Sequence, residues 1–184
     1  MDTPLIDITH DSTAADAQVV TNPSITQMPD GKYLMVYKAV ASKRPQPFGG
    51  PVVHLTAIAN HPEGPFVKQN KPIFTSENVD FPAEDPYVWY QDNCFYASVK
   101  DMKGFFTKAG KSLALFYSLD GADWKLAKHP LVATLNLQWE NGTLQKLEAL
   151  ERPQLFFENG KPSVLLCAVN ENLSHSYNVQ LPLK

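Results

Sequence analysis

Cysteine is scarce in this sequence: only Cys94 and Cys167 occur among 184 residues. The two thiols settle little: a disulfide between them is the alternative to two free buried cysteines, and neither has a ligand-spaced neighbour, so no zinc module is expected. Both lie in apolar runs, Cys94-Phe95-Tyr96 and Leu165-Leu166-Cys167, where a thiol serves as a small buried hydrophobe. Clusters of basic residues are also missing. With a net charge of −3 and a pI near 5.9 the chain has no surface to hold phosphates, so no nucleic-acid partner is expected. No apolar run approaches the ~20 residues of a membrane helix, so no membrane partner is expected either. The opening Met1-Asp2-Thr3-Pro4-Leu5 lacks the basic and apolar regions of a signal peptide. A nucleophile elbow, a phosphate-cradling glycine loop and a dinucleotide fingerprint are all absent, and no cofactor is expected. His54, His129 and His175 have no partner at ligand spacing, so the expected metal count is also none.

Aromatic and apolar side chains are plentiful. Ten Phe, seven Tyr and three Trp in a 43% hydrophobic chain are enough for a real core and exclude a disordered tail. Fifteen prolines interrupt every stretch with helical periodicity. Strand-like runs recur instead, among them Tyr33–Tyr37, Tyr87–Tyr90, Phe95–Val99, Leu113–Tyr117, Gln154–Phe157 and Val164–Leu166. They are bounded by Asp30-Gly31, Asp92-Asn93, Asp120-Gly121 and Asn159-Gly160, pairs that tolerate the positive φ of hairpin turns. An all-β fold is predicted. The sequons Asn141-Gly142-Thr143 and Asn172-Leu173-Ser174 matter only in a glycosylating secretory route.

The strands repeat as a set. Asn22-Pro23, Asp85-Pro86 and Arg152-Pro153 each open a strand, turn and strand, and their prolines lie 63 and 67 residues apart. Four strands in a unit of about 60 residues is how a β-propeller blade reads. The chain is expected to be a single partial propeller domain over residues 1–184, with blades near 20–75, 82–135 and 150–184. Propellers close with about four to eight blades, and an open stack of three would leave both end faces uncovered. Missing N-terminal blades are therefore expected, or else self-association.

The innermost strand of a blade lines the central channel, and the repeated polar-Pro pairs mark where it starts. Asn22, then Glu84 and Asp85, then Glu151 and Arg152 should converge there. Paired carboxyls at one pocket suit glycoside hydrolysis, in which one acid protonates the leaving oxygen and another carboxylate activates water or attacks carbon. The alternative is that these acids only bond strand-entry amides or one another. Glu84-Asp85-Pro86-Tyr87-Val88-Trp89, Lys100-Asp101-Met102, Ser118 to Trp124 and Glu151-Arg152-Pro153-Gln154-Leu155 together resemble the five-bladed β-propeller glycoside hydrolases, specifically the family 43-like proteins. Asn22-Pro23-Ser24, Asp30-Gly31-Lys32-Tyr33 and Glu63-Gly64-Pro65-Phe66 extend the likeness to residues 20–184.

The resemblance implies that the chain matches the last three of five blades. It also implies an acid/base mechanism on a carbohydrate substrate, for which such enzymes take a base Asp, a pKa-tuning Asp and an acid Glu from successive blades. Here Asn22 stands where a carboxylate is expected, and no residue can take the first-blade base role. The catalytic candidates are Glu84, Asp85 and Glu151. Glu151 or Glu84 would donate the proton, and Asp85 would tune or orient the donor. Asn22, Lys38, Trp89, Lys100 and Arg152 are candidates for substrate binding. Lys38 and Lys100 end equivalent strands and could instead pair with neighbouring acids. Trp89, Trp124 and Trp139 could each stack on a sugar, with Trp124 better suited to packing between strands. Two rival readings are a non-catalytic glycan-binding or scaffold module and a protein-interaction propeller.

Overall fold

A computed structural model describes residues 3–44, 49–172 and 174–183. Met1 and Asp2 of the opening segment and Leu173 of the second sequon lie outside them. Among the described residues the regular structure is all β, and no helix is long and apolar enough to cross a membrane.

The first blade contains β1 (Val19–Gln27), β2 (Tyr33–Val40), β3 (Val52–Ala59) and β4 (Val67–Ile73), paired antiparallel in that order. The second repeats it with β5 (Ala83–Gln91), β6 (Cys94–Asp101), β7 (Ser112–Ser118) and β8 (Lys125–Thr134). A short hairpin follows, β9 (Asn136–Gln138) and β10 (Leu144–Lys146). This hairpin was not expected from the sequence, because three-residue strands carry too little periodicity to register. The third blade has three strands, β11 (Ala149–Glu158), β12 (Lys161–Asn172) and β13 (His175–Pro182). Hairpin turns fall at Asp30-Gly31, Asp92-Asn93 and Asn159-Gly160, where Gly31, Asp92, Asn93, Asn159 and Gly160 all have positive φ.

Three apolar clusters hold the stack together. Leu34 and Val36 of blade one pack against Val88, Ala97 and Val99 of blade two, with Phe74, Phe106 and Phe116 filling the gap. Leu113 of blade two, Leu137 and Leu147 of the hairpin segment, and Leu150, Leu165, Cys167 and Val179 of blade three form the second cluster. Cys94 and Cys167 are both free and buried. The third cluster lies on the other face of blade one, where Met35, Tyr37, Leu55 and Phe66 are covered by Leu5, Ile6 and Ala15. This corrects the expectation of two uncovered end faces: the N-terminal segment caps one of them. Asp16 pins the segment, accepting from Lys68 Nζ at 2.6 Å and from the Tyr37 hydroxyl at 3.4 Å. On blade three, by contrast, Phe156 is 54% exposed and Leu166 38%.

Candidate active site

Proline gives the site its geometry. Pro23, Pro86 and Pro153 cannot donate to the sheet ladder, and at each one the pairing of the inner strand slips. The register breaks between Thr21 and Ser24, between Glu84 and Tyr87, and between Glu151 and Gln154. In each break two residues oppose one, which defines a β-bulge, and a bulge re-aims the side chain it carries. The residue before each proline is left-handed: φ is 49° at Asn22, 50° at Asp85 and 51° at Arg152. Such backbone costs an ordinary residue about 1–2 kcal/mol, least for Asn and Asp and most for Arg152. Three blades therefore present one non-standard residue each, in the same conformation, at the same place.

These residues meet. Asn22, Asp85 and Arg152 line one cleft of about 390 Å³, together with Ser24, Tyr87 and Gln154. Asn22 Nδ2 donates to Asp85 Oδ1 at 2.7 Å, and the Thr21 hydroxyl donates to Asn22 Oδ1 at 3.1 Å, which fixes the amide's orientation. Asp85 is only 7% exposed. Burial pushes its carboxyl above the ordinary range, and the charge of Glu84 pushes it further, against the opposing pull of Arg152 and Lys100. Arg152 is exposed and makes no ion pair among the described residues.

The residues one step earlier keep their ladder register and form a second layer. Glu84 lies opposite Lys100, and Thr21 opposite Lys38. Lys38 Nζ donates to Glu84 Oε1 at 2.8 Å, Lys100 Nζ to Glu84 Oε2 at 3.3 Å, and Lys100 Nζ also to Glu151 Oε1. The lysine of one blade thus reaches the glutamate of the next, twice in succession. The run ends at Glu151, whose partner on β12 is Ala168. Burial opposes the charge on Glu84, but the bonds and charges of Lys38 and then Lys100 outweigh it and hold its pKa low. Burial likewise opposes the charge on Lys100, and Glu151 followed by Glu84 outweighs it, so that pKa is raised.

Of the two roles open to Lys38 and Lys100, the contacts present are those to acids. Trp89 stands apart from both layers. Its ring stacks on Tyr96 at 5.4 Å and lies 6.0 Å from Tyr87, and its Nε1 is buried without a partner. His54, directly opposite Lys38 on β3, is neutral: burial, then the Lys38 charge, brings its pKa to about 3. Sequence reasoning passed over Ser24, whose hydroxyl accepts from the Val88 amide at 2.9 Å and ties β1 to β5. Its position directly after Asn22-Pro23 was the available signal. Among the described residues no group of three His, Cys, Asp or Glu side chains could hold a metal ion.

No family model matches the chain. It is 30% identical over 118 residues to the extracellular endo-α-(1→5)-L-arabinanase 2 of Bacillus subtilis (strain 168), a stretch covering 63% of this chain and 23% of that protein. Among solved structures, the family 117 glycoside hydrolase Zg3597 of Zobellia galactanivorans superposes with a TM-score of 0.63 at 13% identity, over 88% of this chain and 51% of that one. The fructan 1-exohydrolase IIa of Cichorium intybus gives a TM-score of 0.62 at 16% identity, over 94% and 32%. At such identities the structural likeness speaks for the fold. The chain spans about a quarter of the curated relative it matches and from a third to a half of these structures. The chain is thus a partial β-propeller, with three blades of the fold these glycoside hydrolases share.

Proposed function

We propose that this chain is the carboxylate-bearing part of a glycosidase, acting on O-glycosidic bonds of a poly- or oligosaccharide bound in the cleft between the three inner strands. One observation carries the reading: equivalent bulges on successive blades aim Asn22, Asp85 and Arg152 into one cleft, with Glu151 in the layer behind them on Lys100. Glu84 is the weakest of the three catalytic candidates, because two lysines hold it ionised and both its oxygens are occupied. Glu151 has one oxygen bound by Lys100, and its other oxygen makes no hydrogen bond among the described residues. Glu151 is therefore assigned the proton transfer to the leaving oxygen. Asp85, buried and reluctant to ionise, tunes that transfer. Arg152 and Asn22 supply donors for sugar hydroxyls.

Residues 1–184 are read as one partial domain. Further blades, or a second copy, would complete the ring at the open face of blade three, where Phe156 and Leu166 are exposed. One feature favours a second reading, a module that grips glycan without cleaving it. Asn22 cannot ionise, yet it occupies the position equivalent to Asp85.

The arabinanase likeness makes α-1,5-linked arabinan the first substrate to assay, with fructan second. Glu151→Gln should lower the release of reducing ends by about 10²–10⁴-fold, the usual worth of a positioned acid. A Glu151→Gln variant as fast as the wild type would overturn the assignment. Saturable binding by a wild type that releases no product would select the second reading.

A further inference from the structure

The three tryptophans occupy very different surroundings. Trp124 packs edge-on against Phe74 at 5.3 Å, and its Nε1–H donates to the Gly121 carbonyl, so it belongs to the core. Trp89 is flanked by tyrosines. Trp139, at the turn of the β9–β10 hairpin, is 40% exposed. Its ring is nevertheless held: Nε1–H donates to Gln145 Oε1 at 2.7 Å, and Tyr177 of β13 lies 6.3 Å away. Between the hairpin and β13 is a cavity of about 550 Å³. Buried Leu137 and Val179 form its apolar floor, Trp139 a wall, and the exposed amides of Gln138, Asn178 and Gln180 its rim.

We propose that this cavity is a second carbohydrate-binding site, taking a neutral sugar unit at the outer edge of blade three. A sugar ring offers a face of C–H groups surrounded by hydroxyls. It is matched by a fixed aromatic face over an apolar floor, with groups around it that both donate and accept hydrogen bonds. Primary amides do both. Glu140 also lines the cavity and disfavours acidic sugars. The site lies on β13, two strands out from the β11 bulge that carries Arg152 into the cleft. It would therefore hold a glycan at a distance from the bond being cleaved. The proposal rests on the carbohydrate reading of the cleft and adds a second point of contact to it.

The test follows the three indole N–H signals of the ¹⁵N-labelled Glu151→Gln protein by NMR during titration with α-1,5-linked arabino-oligosaccharides and then fructo-oligosaccharides. Trp139→Phe identifies the Trp139 signal by its loss. That signal should move saturably while that of Trp124 stays. Asn178→Ala, a surface change that spares the core, should weaken the titration about tenfold, equivalent to ~1.4 kcal/mol. A Trp139 signal unmoved by every sugar, or an unchanged affinity in Asn178→Ala, would overturn the proposal. So would a doubled hydrodynamic mass accompanied by a sugar-insensitive Trp139, which would point to strand addition by a second copy along β13. Hydrolysis with a silent Trp139 removes only this site. A responsive Trp139 without hydrolysis by the wild type removes only the cleavage reading.

Discussion

Asp85 combines two costs in one residue, a left-handed backbone and a carboxyl that burial keeps from ionising. A carboxyl whose pKa rises on folding is harmless below its unfolded value and destabilises at every pH above its folded one. Asp85→Asn removes that cost and keeps the shape, and Asn tolerates positive φ well. The variant should therefore be more stable than the wild type at neutral pH. Each 1 kcal/mol gained would appear as about 2–4 °C in Tm for a chain of this length. The gain should vanish as pH falls below 3.8, where the wild-type group is protonated in both states. Thermal melts across that range decide it, and a variant less stable at neutral pH would refute the account. Lost activity with gained stability is the signature of a residue kept for its chemistry. Glu84 shows the opposite sign. Its lowered pKa contributes stability above the unfolded value, and this is lost as pH falls through the folded one.

Among the elements, the loop between β6 and β7 shows how one buried acid can organise a segment. Asp101 is fully buried at the end of β6. Its two oxygens accept the backbone N–H groups of Gly104, Phe105, Phe106 and Thr107 at 2.8–2.9 Å, and the Thr107 hydroxyl at 3.1 Å. This positions Phe106 against Phe116, 5.0 Å away, inside the core between blades one and two. Removing the carboxylate strands the buried Phe106 donor and several half-buried ones, where a buried unmet donor costs ~1–3 kcal/mol. Asp101→Ala should thus cost at least about 3 kcal/mol, read as a lower midpoint in urea with an unchanged slope. A loss below about 1 kcal/mol would mean that water satisfies the loop instead.

For the whole molecule the two ends of the stack differ. Blade one is sealed by residues of the N-terminal segment, whereas Phe156 and Leu166 of blade three are exposed. The seal depends on Asp16, which burial pushes towards protonation and which the hydrogen bond from Lys68, chief among the opposing contacts, keeps ionised with a lowered pKa. Asp16→Ala should release the segment. Amides of residues 5–18 should then exchange faster and the segment be cut sooner by protease, while blade two keeps its protection. Uniform loss of protection across all three blades would show instead that the segment is part of one cooperative unit.

The blades themselves were legible in the sequence because two local signals agree. Runs such as Tyr33–Tyr37 and Leu113–Tyr117 favour strands, and pairs such as Asp92-Asn93 favour positive-φ turns, and neither depends on distant contacts. The repeated polar-Pro pairs also located the inner strands, since proline disrupts a ladder wherever it falls. The fates of neighbouring acids were not legible. Glu84 and Asp85 are adjacent and chemically alike, yet one is locked between Lys38 and Lys100 while the other faces the cleft beside Asn22. The bulge separates them by turning Asp85 out of the ladder, and the partners it finds, Asn22 and Arg152, lie 63 and 67 residues away on other blades. The sequence by itself determined that there would be blades and where each inner strand starts. The tertiary structure alone decided which carboxyl is paired and which is poised, because that depends on charges brought together only when the blades stack.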